Sequence, residues 1–326
     1  MVVRCFHRSG VFTLSRILVV FTGLLSLLFA GCGRDNVAVV DFERVVKIEK
    51  PSSNQTASPV LRVAVAAMIS PKETFVSYRD LLTYIGHKIG RETEFIQRKT
   101  YREVNDLLGM GRIDIAFICS GPYAAGRKQY GLELLAVPQI QGAHDYRSYL
   151  IVKNDGFRTI EDLKGRVFAF TDPESNTGRL VPSFWLERIG ERPESFFGRL
   201  IYTYSHDNSI RAVARGLVDG ASVDSLIWDY YNRRNPGLTG STRVIRQSEP
   251  YPVPPVVASR VLGKNDRDRI SQALVSMHTD QEGRRILDHL GFDRFILPPE
   301  DWFENLVRIE KMLATLAEKE HAVQKP

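Results

Sequence analysis

The stretch that decides the fold is Thr171-Asp-Pro-Glu-Ser-Asn-Thr-Gly-Arg-Leu-Val-Pro-Ser-Phe184. Residues 167–170 before it are a short apolar run with the pattern of a buried strand. After it, Leu180, Phe184, Trp185 and Ile189 recur at helical spacing as far as Gly190, a helix-stop residue. Between strand and helix lie Ser175, Asn176, Thr177 and Gly178, small residues rich in hydroxyl and amide groups. Such a junction suits an anion. The first N–H groups of a helix lack partners, its dipole places partial positive charge there, and hydroxyls add donors. Ser175 or Thr177 can equally serve as a plain N-cap, and the stretch alone leaves both readings open.

The chain has 326 residues, 43% of them hydrophobic and 25% charged, enough for about two domains around a sizeable core. Its first 31 residues differ from the rest. Arg4, His7, Arg8 and Arg16 precede an apolar run at 17–30, and no acidic residue occurs before Asp35. This is the pattern of an export signal, with an apolar run too short for a comfortable membrane span. It ends Leu28-Phe-Ala-Gly-Cys32, which resembles a bacterial lipobox and implies cleavage before Cys32 and lipid on its sulfur. We therefore expect a signal peptide at 1–31 and a lipidated Cys32 with a polar tether at 32–59, spanning roughly 30 Å. The mature protein would be exported and lipid-anchored, facing the periplasm or the cell exterior.

Export alters the remaining counts. Loss of the three leader arginines takes the net charge from +6 to +3 and leaves no basic cluster suited to nucleic acid. Cys5 leaves with the leader, so Cys119 has no partner for a disulfide and the fold must stand on its core. No Cys/His spacing of a zinc site occurs, and neither metal nor cofactor is implied.

From residue 61 strands and helices alternate. We expect strands at 61–67, 93–97, 113–119, 132–139 and 149–153, with helices at 75–89, 101–110 and 123–130 between them. The alternation then repeats, with strands at 167–170, 200–204, 221–223, 243–245 and 256–258 and closing helices at 266–277, 281–290 and 299–317. This is an α/β pattern with parallel sheets. The simplest arrangement is two α/β lobes joined by two crossover strands. Lobe 1 would be 60–150 with 251–326, and lobe 2 would be 151–250, with hinge strands near 147–153 and 246–253.

Polar turns follow four of these strands: Cys119-Ser120-Gly121, Ser175-Asn176-Thr177, Ser205-His206-Asp207-Asn208-Ser209 and Asp224-Ser225. Ligands in α/β sheets collect beyond the carboxyl ends of strands, so the four turns are expected to converge on one cleft. Asp207 or Asn208 is expected to cap the helix after 204, and Asp224 the helix after it.

The stretches Ile69-Ser-Pro-Lys-Glu73, 171–182, Tyr204-Ser-His-Asp-Asn-Ser-Ile210 and Gly220-Ala-Ser-Val-Asp-Ser225 resemble the phosphate/phosphite/phosphonate substrate-binding proteins of ABC transporters, from about 61 to about 313. The resemblance implies a type II periplasmic binding protein fold closing on a phosphorus oxyanion for delivery to an ABC permease, as a monomer. By position, Ser175 and Thr177, with N–H groups near Asn176 and Gly178, would hold the oxyanion. His206 would add a hydrogen bond, and Asp224 would face the ligand from the other side. Ser120 and Tyr123 would belong to the first lobe's wall, with Tyr78 and Tyr149 as weaker candidates for walling an organic substituent. Asn176 stands where this family carries a hydroxyl, so the donor set differs. A carboxylate such as Asp224 beside the anion favours a ligand with a proton to share over sulfate.

Two other functions use the same residues. Ser120 or Ser175 with His206 and Asp224 can be drawn as a hydrolase triad, yet G-x-S-x-G, H-E-x-x-H and the phosphate-loop signatures are all absent. The same cleft can also serve a membrane signalling partner as a ligand sensor. The expectation is a binding protein with no catalytic residues.

Overall fold

The computed structural model describes residues 60–153 and 156–323. The expected leader, Cys32 and the tether lie outside these residues. Thirteen strands form two large sheets and one small one among the described residues. The first sheet has six strands in the order β13-β4-β12-β3-β1-β2. They are β1 (Leu61–Val65), β2 (Thr93–Ile96), β3 (Ile115–Phe117), β4 (Glu133–Gln139), β12 (Val256–Ala258) and β13 (Arg294–Ile296). The second has five in the order β10-β6-β9-β7-β8. They are β6 (Ser148–Lys153), β7 (Val167–Phe170), β8 (Arg199–Tyr202), β9 (Gly220–Asp224) and β10 (Thr242–Gln247).

Both sheets are mixed, not parallel throughout as the alternation suggested. β1, β2 and β3 run parallel, as do β7, β8 and β9, and these carry the polar turns at their carboxyl ends. The strands on the crossing segments run the other way: β12 is antiparallel to β3 and β4, and β6 is antiparallel to β9 and β10. A chain that enters a sheet directly from the other lobe arrives without a crossover helix, so nothing turns it parallel. The two crossings pair with each other as β5 (Asp145–Tyr146) and β11 (Tyr251–Pro252), with Tyr146 opposite Tyr251. β13 was not expected: three residues ending in a Pro-rich turn carry too short a pattern.

The helices follow their capping signals. α1 (Pro71–Ile89) starts with Pro71 and stops at Gly90, whose φ of 67° suits glycine. α2 (Tyr101–Gly109) opens on a capping box, in which Thr100 accepts from the Glu103 N–H and Glu103 accepts from the Thr100 N–H. α3 (Ser120–Tyr130) begins three residues before its expected start, so Ser120 lies in its first turn. One π-type turn, Asn176–Leu180, precedes α4 (Val181–Glu187). α5 (His206–Ala214) is capped by Ser205, not by Asp207 or Asn208, because the Ser205 hydroxyl accepts from the Asn208 N–H. α6 (Ser225–Arg234) is capped by Asp224 as expected.

Apolar residues on each sheet supply the core. Leu61, Val63 and Val65 of β1 pack with Leu81, Tyr84 and Ile85 of α1, and also with α7 (Lys264–Ser276) and α8 (Gln281–Leu290). Ile151, Ala169, Ala221 and Val223 pack with Ile210 and Val213 of α5. Each such large side chain contributes roughly 1.5–3 kcal/mol by leaving water. The final helix, α9 (Glu300–Val323), packs Trp302, Leu306, Ile309 and Met312 into a cluster shared with Val181 and Trp185 of the second lobe and with Tyr251. Its Trp302 Nε1 donates to the Val253 carbonyl at 3.2 Å, tying it to the crossing chain.

Candidate functional site

The turns at the carboxyl ends of the parallel strands of the two sheets meet in a chain of direct contacts. His206, the first residue of α5, donates its main-chain N–H to the Met68 carbonyl of the other lobe at 3.0 Å. Its ring Nδ1 accepts the Asp224 N–H at 3.0 Å. Met68 packs with Tyr101 and Cys119. Cys119 Sγ approaches the Tyr146 hydroxyl at 3.7 Å, and that hydroxyl pairs with Ser120 Oγ at 2.8 Å. Asn176 Nδ2 donates to Tyr146 at 3.2 Å. Ser148 then joins the turn after β7 to β9 itself, donating to the Thr177 carbonyl and pairing with Ser222 at 2.7 Å.

Along this ring, several buried polar ends have no hydrogen-bond partner: His206 Nε2, Thr177 Oγ1, Asn176 Oδ1, Tyr101 Oη and Thr171 Oγ1. A buried polar group without a partner costs roughly 1–3 kcal/mol, and such groups gathered at one place mark a site that something else completes. His206 is the most informative. Since Nδ1 accepts a hydrogen bond, the ring proton of the neutral form sits on Nε2. Burial pushes the imidazole pKa down to about 3, so it stays neutral, a fixed uncharged donor. A half-turn of the Asn176 amide would let Oδ1 accept from Tyr146 and present Nδ2 instead. No Lys or Arg is among these groups. The cleft offers neutral donors, the set that suits an anion already desolvated by closure.

Asp224 adds an acidic group. Its Oδ1 caps α6 by accepting the Leu226 and Ile227 N–H groups at 2.7 and 3.4 Å. Burial pushes its carboxyl up to about 7, far from the ordinary carboxylate value, because the two cap bonds only partly offset the loss of water.

Other expected residues take different places. Ser175 is the local cap, its Oγ accepting the Gly178 N–H at 3.0 Å, which leaves its O–H as a further donor. That bond uses the Gly178 N–H, so Gly178 is there for space instead: a Cβ would run into Thr171 Oγ1. Tyr123 packs its ring on Trp302 at 5.8 Å and its hydroxyl oxygen accepts from Arg127, away from the cleft groups. Tyr149 stacks edge-on with Trp228 and bonds Asp229. Tyr78 lies edge-on to Phe117 at 5.3 Å, in an apolar pocket beside Asp224.

The lobes are shut on each other in this structure. Tyr101 N–H donates to Asp172 Oδ2 at 3.1 Å, Ser70 N–H to Asp207 Oδ1 at 2.8 Å, and Arg102 pairs with Glu174 at 2.9 Å. Tyr204 takes the left-handed region at φ 58°, uncommon for a bulky residue. The Tyr204 N–H bond to the Thr171 carbonyl and the Lys99 ammonium over its ring hold it there, and the chain turns into α5 at His206. Among the described residues no cluster of three or more His, Cys, Asp or Glu is placed to hold a metal, and no helix is long and apolar enough to cross a membrane.

The family model for the periplasmic substrate-binding protein of phosphonate ABC transporters matches residues 63–303. The chain belongs to this family. Membership places the folded part of the family outside the cytoplasm and in a class of transporter solute-binding proteins. The phosphate-import protein PhnD of Mycolicibacterium smegmatis is 27% identical over 196 residues, covering 55% of this chain and 60% of that one. The curated relatives matched are spanned over only 47–61% of their own lengths. A phosphonate transporter binding protein of Pseudomonas aeruginosa superposes with a TM-score of 0.71 at 19% identity, over 82% of this chain and 99% of its own. PhnD1 of Prochlorococcus marinus, solved with methylphosphonate, superposes with a TM-score of 0.69 at 19% identity, over 78% and 98%. The fold is thus that of a periplasmic binding protein, two α/β lobes with two crossings, as the motifs led us to expect.

Proposed function

We propose that this chain captures a phosphorus oxyanion (phosphate, phosphite or phosphonate) between its lobes and delivers it to an ABC permease. The observation that carries the reading is the set of buried, unpartnered polar ends, above all His206 Nε2 and Thr177 Oγ1, beyond the carboxyl ends of the parallel strands. In the proposed complex Thr177, Ser175, His206, Tyr101 and the Asn176 amide donate to the oxyanion, and Asp224 Oδ2 accepts from a P–OH. The paired crossings β5 and β11 act as the hinge, and the residues before and after them act as the two lobes. Cys32 carries the lipid that keeps the protein at the membrane.

Catalysis fits poorly. His206 meets no serine: its ring bond is to a main-chain N–H, Ser120 is paired with Tyr146, and Ser175 is a helix cap. A base held near 3 does not take a proton from a hydroxyl at neutral pH. Calorimetry of the full chain with phosphate, phosphite, methylphosphonate and sulfate tests the reading. Binding of a phosphorus species that is weakened in Thr177→Val supports it, and heat from none of them contradicts it.

A further inference from the structure

A cavity of about 90 Å³, partly open to solvent, adjoins the cleft at Asp224 and Met68. Met68, Tyr78, Phe117 and Phe292 wall it from the first lobe, and Ile227 and Tyr230 from the second. It therefore has this shape only when the lobes are shut. Met68 and Asp224 also sit in the ring around the anion cleft, since the Met68 carbonyl accepts the His206 N–H and the Asp224 N–H donates to the His206 ring. Asp224 thus stands between the two spaces. One of its oxygens is occupied by the α6 cap, and the other has no hydrogen-bond partner among the described residues. Beyond Asp224 the lining is mostly aliphatic and aromatic, with Ser77 as a polar exception and exposed Arg233, in the last turn of α6, at its rim.

We propose that this cavity takes an apolar alkyl group of about three carbons carried on phosphorus, so that the preferred cargo is a short alkylphosphonate and not the inorganic ion. The proposal rests on the oxyanion reading of the neighbouring cleft. An apolar cavity of about 150 Å³ admits benzene, so one of this size takes a short chain and excludes a ring. In the bound state the free Asp224 oxygen accepts the P–OH, and the carbon substituent leaves phosphorus toward Phe117 and Tyr78. Each methylene moved from water into the cavity tightens binding about fourfold.

The test is calorimetry of the full chain with phosphate, methyl-, ethyl-, propyl-, hexyl- and 2-aminoethylphosphonate. Propyl- and 2-aminoethylphosphonate are nearly the same shape and differ in carrying a methyl or an ammonium at the end. The dissociation constant is expected to fall about fourfold per carbon from methyl to propyl, to rise again at hexyl, and to be lower for propyl- than for 2-aminoethylphosphonate. Ile140→Phe narrows the cavity at a residue outside the anion ring; it should abolish the gain from methyl to propyl and keep phosphate binding. A flat or rising series, with phosphate and methylphosphonate still bound and still weakened in Thr177→Val, overturns the cavity and leaves the oxyanion cleft standing. Tighter 2-aminoethylphosphonate overturns the apolar character of the substituent. No binding by any member overturns both.

Discussion

The main-chain N–H of Asp224 donates to Nδ1 of His206 at 3.0 Å, across the ends of β9 and α5. One bond thereby fixes the imidazole tautomer and joins the two chemically distinct groups of the cleft. With its pKa near 3, His206 is neutral at every physiological pH and presents Nε2–H. His206→Ala removes a hydrogen bond to a charged ligand, a loss of roughly 10- to 150-fold in affinity. Calorimetry checks this, and the ratio of wild-type to variant affinity should stay constant from pH 5 to 8. A ratio that changes about pH 6.5 would show a titrating imidazole.

Asp224 behaves in the opposite sense. Its carboxyl is raised from 3.8 to about 7 by burial, so between those values the folded chain holds a proton that the unfolded chain has released. Stability therefore falls as pH rises through that window. Asp224→Asn cannot lose a proton there. Its melting temperature relative to wild type should climb from pH 5 to pH 8, by differential scanning calorimetry without ligand. A gap that stays level across this range would contradict the assignment.

The same residue should govern selectivity. A carboxylate repels a bare dianion but accepts from a protonated oxygen, which phosphate and phosphonates keep near neutral pH and sulfate does not. Asp224→Asn should narrow the preference for phosphorus oxyanions over sulfate by at least about tenfold, the worth of one charge-assisted hydrogen bond. Competition of sulfate against a bound phosphonate reads this out. An unchanged ratio would remove Asp224 from selectivity.

Tyr101 separates a ligand group from a structural one by sign. Its hydroxyl is buried without a partner. Tyr101→Phe relieves that cost, so the ligand-free protein should be as stable as wild type or more so, while oxyanion affinity drops by about tenfold. A structural hydroxyl would give lower stability and unchanged affinity.

Closure itself hangs on Gly121. A Cβ there would stand 2.8 Å from the Glu174 carbonyl and 3.0 Å from the Asn176 N of the facing lobe, both backbone atoms. Gly121→Val should leave each lobe folded and hold them apart, with a larger radius of gyration by small-angle scattering and binding weakened more than tenfold. A variant that compacts on adding ligand as wild type does would show that this contact does not limit closure.

Much of this was legible in the chain because strand, turn and helix signals are local. The expected strand at 167–170, the polar turn and the helix after it all form, and Asp224 caps its helix as expected. What was hidden depends on the other lobe. Tyr101 reads as an ordinary residue after a capping box, and only the contact of its N–H with Asp172 of the facing lobe brings it to the junction. Tyr146 occupies a two-residue crossing strand with no periodicity to read, yet its hydroxyl joins Ser120 to Asn176. The reversed direction of β6 and β12 follows from the crossings and not from any residue in those strands. Gly178 and Tyr123 carried family positions whose polar groups are spent locally, on Ser175 and Arg127.

The most direct test of the oxyanion cleft is the nitrogen–proton NMR signal of the His206 ring during titration with methylphosphonate. A proton on Nε2 is expected in the free protein, with a marked downfield shift of that proton as the site fills, saturating with the calorimetric dissociation constant. A ring protonated on Nδ1, or an Nε2 proton that does not move while methylphosphonate binds, would contradict it.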